Sequence, residues 1–440
     1  MNIILLSGGS GKRLWPLSND VRSKQFIKIF PSEYAYESMV QRMYRQIKEI
    51  DKNAVITIAT SKTQVSAIHN QLGKDIEISV EPSRRDTFPA ISLACAYLDE
   101  VKKISKQEAV VVVPVDPYVD EGYFLALTKL CKLVEKSDCN LTLMGINPTY
   151  PSEKYGYIIP RDSSEISFVK SFQEKPNKTD AKEYIEQGAL WNSGVFAFRL
   201  QYVLDKSEEL LGYRRYKDLY DNYDALEKIS FDYAVAEKEP SIQVMRFGGI
   251  WKDLGTWNTL TEGMEEKIIG NARMNDGCQN LHILNELDIP ILAMGLKDMV
   301  ISASPEGILV SDKEQSSYIK PFVDEISQQV MFADKSWGSY RVLDVGKGSL
   351  TIKIGLKTGC RMSYHSHQNR DEVWIIINGR GKAIIDGREQ YVKIGDSLTM
   401  KAGCAHTITA DTELELIEVQ IGRDISVSDK YKPELCTQGR

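Results

Sequence analysis

The first 260 residues alternate short apolar runs with amphipathic segments. The runs are rich in Val and Ile and show no polar alternation, which is typical of strands that are covered on both faces. Segments with helical periodicity lie between them, at 33–50, 62–72, 87–103 and 121–136. This order of elements predicts a Rossmann-like α/β domain built on a parallel sheet. The predicted strands are NIILLS (2–7), AVITIAT (54–60), EISV (77–80), AVVVVPV (109–115) and NLTLMGI (140–146).

The character of the chain changes twice after this region. Over 263–325, helical periodicity gives way to short strand-like runs separated by turn signals such as NDG and SPEG. From residue 326 onward, strand-like runs and glycine turns recur at regular spacing, which is typical of a compact barrel or jelly roll. We therefore predict three units: an α/β domain over 1–262, a small β-rich connector over 263–325 and an all-β domain over 326–440.

Composition narrows the class of protein. A net charge of -6 argues against general nucleic-acid binding, so any anionic ligand must be held by a local group of cations. No run reaches the roughly 18 apolar residues of a membrane-spanning helix, and the N-terminus lacks a basic leader with a cleavage site. The seven cysteines form no CxxC pair, which is typical of reduced thiols. We therefore expect a cytoplasmic protein without nucleic-acid or membrane partners.

A glycine-rich turn follows the first predicted strand, in the stretch NIILLSGGSGKRLWPLS. Such a turn between a strand and a helix lets backbone N–H groups converge on phosphate oxygens. Two cations, Lys12 and Arg13, follow the glycines directly, and Lys24 comes soon after. The spacing is neither GxxxxGK[ST] nor GxGxxG, so it predicts neither a P-loop nor a dinucleotide site. Taken by itself, the loop is equally compatible with a phosphate site and with an ordinary tight turn.

Further motifs follow this loop in order over nearly the whole chain. After GGSGKRLWPLS and SKQF come EPSRRDTFPAI (81–91), VVPVDP (112–117), KYGYI (154–158), FQEKP (172–176), WNSGVFAF (191–198), SFDYAVAEK (230–238) and WKDLGTWN (251–258). These motifs closely resemble those of the nucleotidyltransferases that make nucleotide sugars, in particular the long bacterial mannose-1-phosphate guanylyltransferases with a fused phosphomannose-isomerase-like cupin domain. The resemblance implies a GT-A-like fold, a cupin jelly roll, a homodimer and synthesis of GDP-mannose from GTP and mannose 1-phosphate.

This resemblance implies a catalytic set of two cations and two carboxylates. Transfer of a nucleotidyl group to a sugar phosphate needs positioning and charge neutralisation more than covalent help. By resemblance, Arg13 holds the leaving phosphates and Lys24 stabilises charge at the α-phosphate. Asp116 and Asp253 each follow an apolar or aromatic stretch, and the resemblance implies that they hold Mg²⁺. Lys12 falls on a variable position of the family pattern, so we expect no catalytic role for it.

The resemblance also implies which residues bind the two substrates. The nucleoside triphosphate is expected to contact the glycine loop and two segments near the base, with the residues Gly8, Gly9, Gly11, Lys12, Glu81, Arg85, Asp86 and Thr87. The sugar 1-phosphate is expected to contact backbone and side chains of three later motifs, with the residues Gly156, Glu174, Lys175 and Asn192.

Three positions depart from the family pattern. Asp86 stands where the family has Asn in RNT, and a carboxylate only accepts hydrogen bonds whereas an amide also donates them. Pro117 stands where the family has His, and Ser23 stands where it has Pro before the catalytic lysine. Because these changes lie close to the expected base and phosphate sites, GTP is our first choice of nucleotide and CTP the second. Another sugar 1-phosphate is likewise left open.

Three of the five histidines lie in the predicted all-β domain and match the two cupin motifs. His365 and His367 alternate along one predicted strand, so both side chains can reach one metal ion. Glu372 and His406 are expected to join them from neighbouring strands of the barrel. Three imidazoles and one carboxylate suit a divalent transition metal such as Zn²⁺, with Fe, Mn and Ni as alternatives.

The function of the cupin unit is less constrained. Phosphomannose isomerases of this fused type have QxHHHRxEHW where this chain has HSHQNRDEVW. The ligand set is intact, but Gln368, Asn369 and Val373 replace histidines around it. Two hypotheses follow: the cupin isomerises or epimerises a sugar phosphate, with the metal polarising a carbonyl, or it is a non-catalytic regulatory site.

Overall fold

A nine-stranded sheet forms the centre of the first part of the chain in the computed structural model, which describes residues 1–9, 12–19, 21–32, 35–326, 329–423, 425–426 and 429–432. Its strand order is β5-β4-β1-β6-β11-β8-β12-β10-β9. The strands of this part are β1 (Asn2–Ser7), β2 (Lys28–Pro31), β3 (Tyr36–Ser38), β4 (Val55–Ser61), β5 (Glu77–Glu81), β6 (Ala109–Pro114), β7 (Pro117–Val119), β8 (Leu141–Ile146), β9 (Tyr157–Pro160), β10 (Ile166–Gln173), β11 (Leu190–Arg199), β12 (Ile242–Phe247) and β13 (Trp251–Asp253).

Helices cover both faces of this sheet. They are α1 (Met39–Ile50), α2 (Val65–Leu72), α3 (Thr87–Glu100), α4 (Glu121–Lys136), α5 (Lys178–Glu186), α6 (Leu200–Leu211), α7 (Tyr216–Asp221) and α8 (Trp257–Glu262). Strand β6 shows why both faces need cover: Val111 and Val113 pack with residues of α1 and α4, and Val110 and Val112 pack with residues of α3 and α6. Each fully buried valine of this kind contributes roughly 1.5–3 kcal/mol.

The sheet is mixed, which corrects the prediction of a parallel sheet. Strands β5, β4, β1 and β6 run parallel as predicted, but β11 is inserted antiparallel between β6 and β8. The long apolar run of β11 is buried on both faces like its parallel neighbours, so its sequence carries no sign of its direction. The predicted helix at 33–50 begins only at Met39, because β3 occupies Tyr36–Ser38 and Ser38 caps the helix.

The connector consists mainly of short strands that lie side by side. Its elements are β14 (Ile268–Gly270), β15 (Ala272–Met274), β16 (His282–Asn285), β17 (Ile291–Ala293), β18 (Met299–Ser304), β19 (Gly307–Asp312) and α9 (Lys320–Glu325). Strands β14, β16 and β18 pair in parallel, as do β15 and β17. The prediction of short strands is correct here, but it did not include their parallel stacking, since strands of three to six residues give little periodic signal.

The last part is an antiparallel double sheet. Its strands are β20 (Phe332–Lys335), β21 (Gly338–Val345), β22 (Ser349–Leu356), β23 (Arg370–Asn378), β24 (Arg380–Ile385), β25 (Arg388–Lys393), β26 (Ser397–Met400), β27 (His406–Ala410) and β28 (Leu414–Gly422). Six of them form one sheet in the order β20-β21-β22-β28-β23-β26, and the other three form a second sheet in the order β25-β24-β27. Trp374 is fully buried in the core of this unit. Among the described helices of the whole chain, none is long and apolar enough to cross a membrane.

Candidate active site and metal centre

Lys24, Asp116 and Asp253 meet at the carboxyl edge of the large sheet. Asp116 follows the end of β6, and Asp253 ends β13, which pairs antiparallel with β7 so that Asp253 lies opposite Pro117. The Nζ atom of Lys24 lies 2.7 Å from Oδ2 of Asp116 and 3.8 Å from Oδ1 of Asp253. The ribbon of β7 and β13 therefore brings together two carboxylates that are far apart in the sequence.

The charges of these three groups are strongly linked. Burial opposes the charge of Lys24, but the two carboxylates outweigh this effect and raise the lysine pKa. Burial likewise opposes the charge of Asp116, but Lys24 outweighs it and lowers the carboxyl pKa. Burial raises the pKa of Asp253, although Lys24 opposes the shift, and the charge of Asp116 adds to it. A hard divalent cation such as Mg²⁺ fits this pair, because carboxylate oxygens are its preferred protein ligands and it would relieve their repulsion.

The first two glycines of the glycine loop directly follow β1. Gly8 and Gly9 are exposed, and Gly11 lies outside the described residues. Arg13 is exposed on the short helical turn that follows the loop. Lys12 instead forms an ion pair of 3.0 Å with Asp324 in α9 of the connector. The structure thus gives Lys12 a contact away from the carboxylates, in keeping with its variable position in the sequence pattern.

The residues expected near the base lie at the end of β5 and the start of α3. Burial raises the pKa of Glu81 to about 7, although the Tyr223 hydroxyl donates a hydrogen bond of 2.9 Å to its carboxylate. Arg85 donates to the backbone carbonyl of Asp224. The Oγ1 atom of Thr87 accepts a 2.8 Å hydrogen bond from the N–H of Phe231.

Asp86 is the N-cap of α3 and has a positive φ of +68°. Its carboxylate accepts a 2.8 Å hydrogen bond from the N–H of Thr87. Asn and Asp serve almost equally well as N-caps, and both tolerate positive φ better than most residues. The structure therefore explains the departure from the family Asn without any change in the fold at this point.

A cavity of about 250 Å³ joins the paired aspartates to three of the four residues expected to bind the sugar phosphate, Gly156, Glu174 and Asn192, whereas Lys175 is not on its lining. Asn192 donates a 2.7 Å hydrogen bond to Oδ1 of Asp232, and Lys175 forms an ion pair with Glu174. Burial raises the pKa of Asp232 to about 7, and the charge of Glu174 adds to the shift. The polar groups of the cavity are Asp116, Lys154, Tyr155, Glu174, Asn192, Ser193, Asp232 and Asp253, with Gly156 on its wall.

A second buried site lies between the two sheets of the C-terminal unit. One possible ligand atom from each of His365, His367, Glu372 and His406 lies within 4.8 Å of all the others. Glu372 belongs to β23 and His406 to β27, so these two come from facing sheets, which corrects the prediction of neighbouring strands. The two other histidines lie in the segment before β23, where His365 is bridged to His406.

The orientation of the imidazoles fits a metal ion. Each Nδ1 atom faces a backbone carbonyl: Ser363 for His365, Asp429 for His367 and Cys404 for His406. The proton therefore sits on Nδ1, and the Nε2 lone pairs point to the shared centre. Nε2 of His406 and Oε2 of Glu372 are buried 3.0 Å apart without a hydrogen bond, as two acceptors facing each other would be. A cation between them would satisfy both.

The metal centre opens into a cavity of about 690 Å³. Its walls are mainly apolar, but several charged groups lie on them. Burial lowers the pKa of His365 to about 3, and the charge of Lys430 adds to this shift. Burial also raises the pKa of Glu418 to about 7, with the charge of Glu372 as the next cause. The charged and amide groups on the cavity wall are Gln329, Lys335, Arg370, Glu418, Gln420, Lys430 and Lys432.

The nucleotidyl transferase family model matches residues 2–268, more than half of the chain. The chain belongs to the nucleotidyl transferase family. A second family model, the C-terminal part of mannose-6-phosphate isomerase, matches residues 324–432. The resemblance inferred from the sequence motifs and the predicted fold class are thus confirmed for both ends of the chain, and the boundaries of the three units stay a prediction.

Relatives match this family member along its full length. It is 29% identical to the xanthan biosynthesis protein XanB of Xanthomonas campestris pv. campestris strain B100, with 99% of this chain and 98% of that protein covered. It is 28% identical to a mannose-1-phosphate guanylyltransferase of Escherichia coli K12, covering 97% and 96%. Among solved structures, a mannose-1-phosphate geranyltransferase of Thermus thermophilus matches with a TM-score of 0.63 at 25% identity, covering 73% of this chain and 98% of that one.

Sequence reasoning missed several residues of both sites in this transferase family member. Asp232 lies in SFDYAVAEK and Tyr155 in KYGYI, so both fall in motifs that carry the resemblance, but neither was assigned a role. Asp232 begins a π-helical turn, a feature that is common at functional sites. In the cupin unit, Arg370 lies two residues before Glu372, and Glu418 lies in the middle of β28. Neither falls at a spacing that is typical of metal ligands, so the sequence carried no sign of them.

Proposed function

We propose that this chain is a sugar-1-phosphate nucleotidyltransferase that makes GDP-mannose from GTP and mannose 1-phosphate and releases pyrophosphate. The observation that carries the proposal is the single cavity in which Asp116, Asp253 and the sugar-binding candidates Glu174 and Asn192 lie together. Relatives that match almost the whole chain, including named mannose-1-phosphate guanylyltransferases, support it.

The catalytic residues act mainly through charge and position. Mg²⁺ held by Asp116 and Asp253 would supply charge neutralisation at the phosphates. Lys24 lies against both carboxylates and stabilises the charge that develops at the α-phosphate when the sugar phosphate oxygen attacks it. Arg13, exposed beside the glycine loop, holds the pyrophosphate as it leaves.

The sugar cavity provides both donors and acceptors for hydroxyl groups. Glu174 and Asp232 accept hydrogen bonds from sugar hydroxyls, and the Asn192 amide is held in place by Asp232. Lys175 leaves its ion pair with Glu174 and forms a new one with the phosphate of the sugar substrate. The base is selected near Gly8, Glu81, Arg85, Asp86 and Thr87, and CTP or another sugar 1-phosphate is the alternative to GTP and mannose 1-phosphate.

The cupin unit is proposed to bind one divalent transition metal, such as Zn²⁺, through His365, His367, Glu372 and His406. Lys335 and Lys430 on the wall of its cavity favour an anionic ligand, so isomerisation or epimerisation of a sugar phosphate is the first interpretation. A non-catalytic regulatory site is the second. A homodimer located in the cytoplasm completes the proposal.

A panel of substrates tests the main activity. The full chain is incubated with Mg²⁺, each of the common nucleoside triphosphates and a set of sugar 1-phosphates, and products are identified by mass. We expect a nucleotide diphosphate sugar and pyrophosphate in equal amounts, with GTP and mannose 1-phosphate as the best pair. Absence of any such product from every pair would contradict the proposed function.

A further inference from the structure

Five polar side chains form a buried network directly behind the glycine loop. They come from β1, from β4, from the short helical turn around Lys24 and from the residue before α2. Each is at most 2% exposed. Buried polar groups of this kind lower stability unless every one is hydrogen-bonded. A fully hydrogen-bonded network at this place holds the surrounding backbone in one conformation. Its members are Ser7, Ser23, Gln25, Thr60 and Gln64.

Gln64 is the centre of this network. Its Oε1 atom accepts hydrogen bonds of 2.9 Å from Thr60 and 3.2 Å from Gln25, and Gln25 also donates to Ser7. The Nε2 atom of Gln64 donates a 2.7 Å hydrogen bond to Oγ of Ser23. These contacts fix the amide with its oxygen towards β4 and its nitrogen towards Ser23.

Ser23 carries the network to the glycine loop. Its hydroxyl donates a 2.8 Å hydrogen bond to the carbonyl oxygen of Gly9, to which Gln64 donates a longer one of 3.4 Å. Gly9 has φ of +137° and no side chain, so little else restricts which way its carbonyl points. A carbonyl oxygen turned towards the phosphates would repel them, whereas these two donors hold it against the protein interior.

We propose that Ser23 is a positioning residue that fixes the glycine loop and Lys24 in the geometry that binds the triphosphate. This inference rests on the proposed nucleotidyltransferase function and deepens it. Ser23 directly precedes Lys24, so one hydroxyl ties the phosphate loop to the cation at the α-phosphate. Proline, which the family pattern has at this position, cannot make the bond, so the hydroxyl is an additional restraint of this chain.

The variant Ser23→Pro removes the hydroxyl while respecting the backbone. Ser23 has φ of −76° and ψ of 161°, which proline adopts readily. Among the described residues, none accepts a hydrogen bond from the Ser23 N–H, so proline costs no backbone bond there. Ser23→Ala is the second variant, and Ser32→Ala, which changes an exposed serine in a local turn, is the matched control.

The test measures KM for GTP, kcat, and the direct Kd of Mg-GTP for the full chain and its variants. Loss of this hydrogen bond should raise KM and Kd for GTP about 3- to 10-fold in both Ser23 variants. KM for the sugar 1-phosphate should stay near the wild-type value in both Ser23 variants, and Ser32→Ala should match wild type throughout. A purely structural role would lower the melting temperature and leave the affinity for GTP unchanged.

The outcomes separate this inference from the proposed function. If wild type binds GTP without turnover, the proposed function fails, and the Kd values of the Ser23 variants still decide the inference. If Kd and KM for GTP stay within twofold of wild type in both Ser23 variants, the inference is wrong and the proposed function stands. If wild type neither binds nor uses GTP or CTP, both are wrong.

Discussion

Gly156 lies where the sugar cavity has no room for a side chain. A Cβ atom at this position would lie 2.5 Å from Oε2 of Glu174 and 3.0 Å from the ring of Phe172. Gly156→Ala should therefore displace Glu174 and raise KM for the sugar 1-phosphate by about tenfold, which corresponds to roughly 1.4 kcal/mol. Steady-state kinetics should show KM for the nucleotide unchanged. The control Gly248→Ala meets no atom within 4 Å and should behave as wild type.

Asp232 should make stability depend on pH in an unusual direction. Its pKa is raised by burial and by Glu174 from 3.8 to about 7, so the folded state favours the neutral acid. The contribution of the neutral Asp232 to the free energy of unfolding is fully present below about pH 4 and is lost as pH rises through about 7. Between pH 5 and 8, wild type should lose about 2–3 kcal/mol relative to Asp232→Asn, as measured by urea unfolding. Equal pH profiles for the two proteins, or a similar effect in the exposed control Asp75→Asn, would contradict this assignment.

At the scale of single residues, sequence motifs predicted which side chains gather but not what holds them. Asp116 and Asp253 were placed together by resemblance, and the structure brings both within ion-pair distance of Lys24. The partner of Asn192 was not predictable, because Asp232 comes from a distant motif and only the folded chain brings the two together. The N-cap role of Asp86 was likewise hidden, since it depends on a backbone angle.

At the scale of elements, the metal ligands depend on strands of two facing sheets. We expect the purified full chain, loaded with Zn²⁺ and desalted, to hold about one metal ion, because three imidazoles and a carboxylate complete such a site. His367→Ala should lose most of this metal, and a chelator should lower the melting temperature of wild type. Metal content measured by mass spectrometry decides this. The control His69→Ala, in α2, should keep the metal, and equal metal loss in both variants would contradict the assignment.

The local sequence predicts where many strands lie, but not how the strands pair. Apolar runs predicted β1, β4, β5, β6 and β8 well, because burial on both faces leaves a continuous hydrophobic signal. Direction and pairing depend on distant strands, so the antiparallel β11 and the parallel strands of the connector could not be read from local sequence.

At the scale of the whole molecule, Glu306 links all three parts of the chain. Its carboxylate accepts a 2.7 Å hydrogen bond from Asn19 beside the glycine loop and a 2.9 Å hydrogen bond from the N–H of Met331, just before β20. Arg22 packs over the ring of Phe332 at 5.2 Å from its centre. The segment after the glycine loop, the connector and the cupin unit therefore meet around one buried side chain.

Removing this contact should destabilise the assembly of the three parts. Glu306 is 5% exposed, and hydrogen bonds to a charged group contribute about 1.5–3 kcal/mol each. Glu306→Ala should therefore lower the free energy of unfolding by roughly 2–4 kcal/mol in urea titrations. Asp324→Ala breaks the exposed ion pair with Lys12 and should cost at most about 1 kcal/mol. A smaller effect in Glu306→Ala than in Asp324→Ala would contradict this account.

The central claim is that two aspartates beside Lys24 hold the metal for nucleotidyl transfer. It is tested most directly by the initial rate of pyrophosphate release from GTP and mannose 1-phosphate as Mg²⁺ is varied, in wild type and Asp253→Asn. We expect a rate that saturates with Mg²⁺ in wild type and falls by roughly 100-fold or more in the variant, whose melting temperature should stay close to that of wild type. A wild-type rate that does not depend on Mg²⁺, or an undiminished rate in Asp253→Asn, would contradict it.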